Sequence, residues 1–133
     1  ILNSPLQMVA DLPEHIKDHP ALQFARDLNI DWDESEMLDA QVGDYVVTAR
    51  RSGKEWFLAA ISDEERRELE VDLAFLQDDI PYRAEIYRDG DNASWDRNPH
   101  DYFIEEREVN AEMTIKLPLA AGGGIAIRMV PQQ

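Results

Sequence analysis

Cysteine is absent from the 133 residues. That excludes a disulfide framework, a thiolate metal site and any cysteine-based redox or nucleophilic chemistry, and it suits the cytosol and the periplasm equally. Cations are scarce: 13 Lys and Arg stand against 28 Asp and Glu, for a formal net charge of −15. Phosphate backbones and anionic lipid are bound by clustered Lys and Arg, and no basic stripe is present, so neither is an expected partner. Long apolar runs are missing too; nothing approaches the roughly 20 residues a membrane span needs. The opening Ile1-Leu2-Asn3-Ser4-Pro5 has neither the basic region nor the apolar core of a signal peptide. It also lacks an initiator Met, and the chain is expected to be cut from something longer.

Hydrophobic residues make up 44% of the sequence, enough for one ordinary domain with a core that needs no metal or disulfide. Residues 1–30 differ from the remainder. Leu6, Met8, Val9 and Leu12 lie in a stretch bounded by Pro5 and Pro13. Pro20 then opens a predicted helix to Leu28, with Ala21, Leu22, Phe24, Ala25 and Leu28 at helical spacing. A helix this short is unstable alone, so its apolar face must rest on the domain that follows or on something else.

From Trp32 onward the period becomes two. Strands are predicted from Met37 to about Val42, Tyr45 to Arg51, Glu55 to Ile61, Glu68 to Leu73, Tyr82 to Tyr87, Tyr102 to Val109, Met113 to Leu117 and Ile125 to Val130. Ser52-Gly53 and Asn110-Ala111 are turns, and Gly122-Gly123-Gly124 is read as a flexible corner. Leu69, Val71 and Leu73 alternate with Glu68, Glu70 and Asp72, a strand with one wet face. Phe75-Leu76 should plug the core behind it, and Met113, Ile115 and Leu117 should form an inward face. About eight short strands with regular turns predict an all-β fold, an antiparallel β-sandwich with a short N-terminal helical lead-in. The boundary falls between residues 1–30 and 31–133.

Candidate chemistry is thin. His15 and His19 stand four apart, a spacing that on a helix serves zinc; Pro13 and Pro20 are expected to break any helix there, leaving two surface histidines. Asp89-Gly90-Asp91-Asn92, with Asp96, offers oxygen ligands but departs from the order of a calcium loop, and such residues equally make a turn. Asp31, Asp33, Glu34 and Glu36 supply carboxylates, but glycoside hydrolysis needs a pair held roughly 5–10 Å apart across a sugar, and nothing in the sequence sets such a separation. Asn92-Ala93-Ser94 is a bare glycosylation sequon. Of the three tryptophans, Trp56 is expected in the core, sharing a strand face with Leu58 and Ala60. Trp32 is expected at the junction with whatever lies upstream. Trp95, with Tyr102, is the one sugar platform on offer, against the alternative that Trp95 anchors its own loop.

Four consecutive segments carry a resemblance: Ser4 to Glu14, then Trp32-Asp33-Glu34, then Gly43 to Arg51, then Gly122-Gly123-Gly124 with its closing strand. The Trp56 strand, Arg67 with Leu69 to Leu76, Tyr82 to Gly90 and Asn98-Pro99 extend it. Together they resemble the C-terminal end of glycoside hydrolase family 97 enzymes, bacterial α-glucosidases and α-galactosidases. The resemblance implies a β-sandwich packed beside a (β/α)8 barrel, with the catalytic carboxylates and the calcium ligands of the family upstream. It implies no catalytic residue, cofactor or metal site in this chain. Its role would be accessory: packing on and stabilising the barrel, and aiding oligomerisation. Secretion or a periplasmic location is implied in the same way. Two consequences are expected: an apolar patch at Leu6, Met8 and Leu12 that drives self-association, and, as the alternative function, a carbohydrate-binding module using Trp95 and Tyr102 on an α-glucan.

Overall fold

The computed structural model describes Ile1 and residues 12–132. Two short helices, α1 (Pro13–Ile16) and α2 (Leu22–Asp27), precede eight strands: β1 (Glu34–Gln41), β2 (Tyr45–Ser52), β3 (Glu55–Ser62), β4 (Arg67–Asp72), β5 (Tyr82–Asp89), β6 (Tyr102–Val109), β7 (Thr114–Leu119) and β8 (Gly124–Pro131). The strands form two antiparallel sheets of unequal size, a six-stranded one in the order β1-β2-β3-β8-β5-β6 and a two-stranded one, β4-β7.

Alternation along each strand sorts the side chains between the sheets. Val47 and Ala49, Trp56, Leu58 and Ala60, Ile125, Ile127 and Met129, and Tyr82, Ala84 and Ile86 share the inner face of the large sheet, and all are buried. The small sheet closes over them with Val71, Ile115, Leu117 and Leu119, and Leu73 and Leu76 fill the corner after β4. Each of these large side chains contributes roughly 1.5–3 kcal/mol by leaving water, which is why strands of six to eight residues hold a single register. The tight β2–β3 turn depends on Gly53, whose φ of 60° lies where a Cβ is unfavourable.

The large sheet has two open edges, and both are acidic. β1 carries Glu34, Glu36 and Asp39 and shifts register between Met37 and Asp39. β6 carries Glu105, Glu106 and Glu108, all pairing on one side only, with β5. Charge and irregularity of this kind deter strand addition by another chain.

Several expectations need correction. A helical turn does form at Pro13–Ile16, because proline is tolerated where the backbone N–H needs no partner. The second helix begins at Leu22 and ends at Asp27, Pro20 serving the turn before it. The first strand starts at Glu34, three residues early, drawn in by pairing with Arg51. Met113 points outward and is 46% exposed; its N–H closes the turn onto the Asn110 carbonyl, so the inward series on β7 is Ile115, Leu117 and Leu119. The three-glycine corner is tied down: the N–H groups of Gly122, Gly123 and Gly124 donate to the Asp63 carbonyl, the Ala120 carbonyl and the Asp89 carboxylate.

Candidate interaction surface

With the small sheet covering one face of the large sheet, the other face meets the lead-in. Helix α2 lies across it. Phe24 packs edge-on against Phe57, with ring centroids 6.1 Å apart, and against Tyr87 at 5.4 Å. Trp32 reaches the same Phe57 ring at 5.3 Å, and the Arg50 guanidinium lies over Trp32. Phe57 is thereby 5% exposed although it points away from the core. Trp32 does join the lead-in to the sheet, and Trp56 is a core residue at 4% exposure.

An ionic cluster locks the helix in place. Arg128, on the outer face of β8, bonds Glu55 from β3 at 2.9 Å, Asp27 from α2 at 3.0 Å and Glu85 from β5 at 3.4 Å. Burial works against the Arg128 charge, but the three carboxylates outweigh it and hold the guanidinium more firmly protonated than usual. Burial, and then the charge of Glu85, raises the Tyr87 phenol beside the cluster.

Beyond α2 the same face sinks into a groove of about 520 Å³. Its floor is low because the two central strands present Ala59, Gly124 and Ala126 there, while Ile61, Tyr102 and Ile104 stand at its sides. These three remain 47%, 40% and 40% exposed. Ile1 also lines the groove, and its carbonyl accepts a 3.0 Å hydrogen bond from Arg50.

The loop from Gly90 to Asp101 folds on its own acids. Asp101 accepts from the Asn92 N–H, Asp91 pairs with Arg88 at 3.0 Å, Asp89 binds the Gly124 N–H at 2.8 Å, and Ser94 bonds Asp96. The Ser94 hydroxyl, followed by Arg97, lowers the Asp96 pKa. These carboxylates are thus engaged by the backbone and by arginine rather than arranged around a cation. No group of three or more His, Asp or Glu suited to a metal ion occurs among the described residues. His15 lies in α1 and His19 beyond its end, where His19 stacks on Tyr102 at 5.0 Å.

The acidic residues before β1 are also structural. Asp33 and Glu34 both bind Arg51, and Asp33 caps the Gly53 N–H at 2.7 Å, clamping the β2–β3 turn. The 640 Å³ cleft beside them is lined by Glu34 as its single carboxylate, so it offers no facing pair for glycoside hydrolysis. At the opposite end, Arg67 holds Asp63 through three contacts and reaches Asp44 at 3.7 Å.

The two aromatics of the expected sugar platform stand apart in role. Trp95 is 65% exposed and packs closely against Gly122, whose φ of 67° disfavours a side chain at that position. Tyr102 belongs to the groove, which Trp95 does not line. The groove and the Arg128 cluster were invisible in the sequence; the one available signal was the unexplained apolar content of the lead-in. Of the apolar trio expected at the N-terminal end, Leu12 is 55% exposed, and Leu6 and Met8 lie outside the described residues.

The described residues thus form a β-sandwich with a helical lead-in strapped across one sheet and an apolar groove beside it. Comparison with known proteins assigns its family. The family model for the glycosyl-hydrolase 97 C-terminal, oligomerisation domain matches residues 31–130. The chain is similar to a retaining alpha-galactosidase of Bacteroides thetaiotaomicron, 37% identical over 130 residues, covering 97% of this chain and 19% of that protein. It is also similar to a glycoside hydrolase family 97 enzyme of Pseudoalteromonas sp. strain K8, solved in complex with acarbose. There the identity is 44% and the TM-score 0.95, over 99% of this chain and 21% of the other. A beta-arabinopyranosidase structure is similar at 28% identity and a TM-score of 0.73, again over 19% of its length. The chain belongs to the glycosyl-hydrolase 97 C-terminal family. It spans about a fifth of the length of the relatives it matches.

Proposed function

We propose that this chain is the non-catalytic C-terminal part of a glycoside hydrolase acting on α-linked sugars, with residues 1–30 as the segment leaving the catalytic barrel and residues 31–133 as the sandwich. In this reading the domain packs on the barrel, stabilises it and contributes to oligomerisation. The catalytic residues and any calcium ligands lie in the remainder of the parent, and the parent is exported to the periplasm or beyond. The observation that carries the reading is the match across residues 31–130 to a C-terminal, oligomerisation family, in a chain that spans about a fifth of the length of its relatives. Self-association through the N-terminal apolar segment is part of the same proposal, supported by the 55% exposure of Leu12.

The test is the mass of the native gene product, detected in fractionated source cells with an antibody raised against this chain. A band several times heavier than 15.3 kDa in the periplasmic fraction supports the reading. A band at the mass of the chain itself refutes it.

The exposure of Trp95 and Tyr102, 65% and 40%, favours a second reading, in which these rings stack on an α-glucan. Titration of the chain with α-linked gluco-oligosaccharides, followed by tryptophan fluorescence, decides it. A saturable change lost in Trp95→Ala supports sugar binding, and an unchanged spectrum removes it.

A further inference from the structure

We infer that the groove beside α2 is the seat of the polypeptide that precedes Ile1 in the longer enzymes, so that the outer face of the large sheet, not its edges or the small sheet, is the docking surface for the catalytic part. This rests on the proposed reading that the chain belongs to such a parent, and it adds the face and the residues. Five observations converge on it. Ile61, Tyr102 and Ile104 surround a floor of alanine and glycine, an apolar depression left open on a chain of net charge −15. Exposed apolar surface gathered in this way marks an interaction site.

Beside the groove the Arg128 guanidinium is satisfied by Asp27, Glu55 and Glu85. The groove therefore offers little to an ionic partner and fits an apolar one. Ile1 itself reaches the groove, with its carbonyl held by Arg50, so a longer chain would arrive at this surface. The lead-in strapped over the same face by Phe24 and Asp27 would tether it there at high effective concentration. The acidic edges of β1 and β6, the former also irregular, disfavour strand addition as the alternative.

The experiment compares three forms of the native gene product: unmodified, Ile61→Asp/Ile104→Asp, and Met113→Asp. Met113 is equally exposed but lies at the start of the small sheet. Limited trypsin digestion reads how freely the lead-in, with Lys17 and Arg26 exposed, is presented. A carboxylate forced into an apolar contact opposes docking strongly, so the double variant should release this domain about tenfold faster or more. Met113→Asp should match the unmodified protein, and the isolated double variant should still melt cooperatively.

Release at the rate of Met113→Asp overturns the inference. Loss of oligomer mass with no change in release also overturns it, because a second copy would then occupy the groove. Should the double variant fail to fold, hydroxyl-radical labelling of Tyr102 in unmodified proteins gives the answer: protection in the parent but not in the isolated chain supports the inference, and equal labelling refutes it. A native product no heavier than this chain refutes the parental reading itself, which the mass measurement tells apart from a failure of the groove.

Discussion

Arg128 holds three carboxylates that would otherwise repel one another across β3, β5 and α2, and replacing it is the sharpest test of how the outer face is organised. The Arg128→Met change keeps most of the aliphatic stem and removes the charge. With side-chain exposures of 19% for Arg128, 19% for Asp27, 30% for Glu55 and 11% for Glu85, the group is closer to a buried pair than to a surface one. Removing one partner of a buried pair costs about 3–5 kcal/mol. The residual exposure places this case near the lower figure, about 3 kcal/mol. For a domain of this size that corresponds to a melting point lower by roughly 10 °C.

Urea denaturation followed by circular dichroism measures the loss directly. A second substitution sharpens the reasoning. If clustered negative charge causes the loss, Glu85→Gln should stabilise the Arg128→Met background by about 1 kcal/mol while destabilising the unmodified chain, a sign reversal that double-mutant cycles are built to detect. High salt should also reduce the loss, since screening weakens the repulsion. A loss below about 1 kcal/mol, typical of exposed pairs, or the absence of the sign reversal, would refute this account.

Leu58→Ala, at a fully buried position in the middle of β3, should cost about 3–4 kcal/mol in urea unfolding, because neighbours across both sheets hold the cavity open. Phe24→Ala should leave the sandwich intact but raise amide hydrogen exchange throughout α2, since six residues without their aromatic anchor do not hold a helix. Asp63 has its pKa lowered, first by the Glu65 N–H and then by Arg67. Its contribution to stability is therefore complete above its ordinary value of 3.8 and is lost as the pH falls below that. Asp63→Asn should flatten that part of the stability profile between about pH 4 and pH 2, as measured by urea titration at each pH.

The alternation of Leu69, Val71 and Leu73 with acids, and of Tyr82, Ala84 and Ile86 with polar neighbours, was enough to place strands, because a half-buried strand writes its burial into every second residue. The interior position of Trp56 was legible for the same local reason, and the tight turn after β2 was placed one residue early, at Ser52-Gly53 rather than Gly53-Lys54. Met113 was misread because alternation continues into the turn before β7, where the residue is no longer covered by the large sheet. The helical turn at Pro13–Ile16 was missed because proline was taken as a breaker where it can equally begin a helix. The candidate site was hardly legible at all. Arg128 meets Asp27 across 101 positions of sequence, Glu55 across 73 and Glu85 across 43, and no periodicity links residues so far apart.

By itself the sequence determined the strand count, the antiparallel class, the inward residues of β3, β4 and β5 and the likeness to a glycosidase appendage, since each follows from local pattern or from ordered segments along the chain. Only the tertiary structure decided that the strands divide six and two and that the lead-in crosses the outer face. It also decided that the alanines and glycine of β3 and β8 lie side by side to open a groove. Those outcomes depend on which strands become neighbours, and neighbourhood in a sheet is set by cooperative burial of the whole core rather than by any one segment.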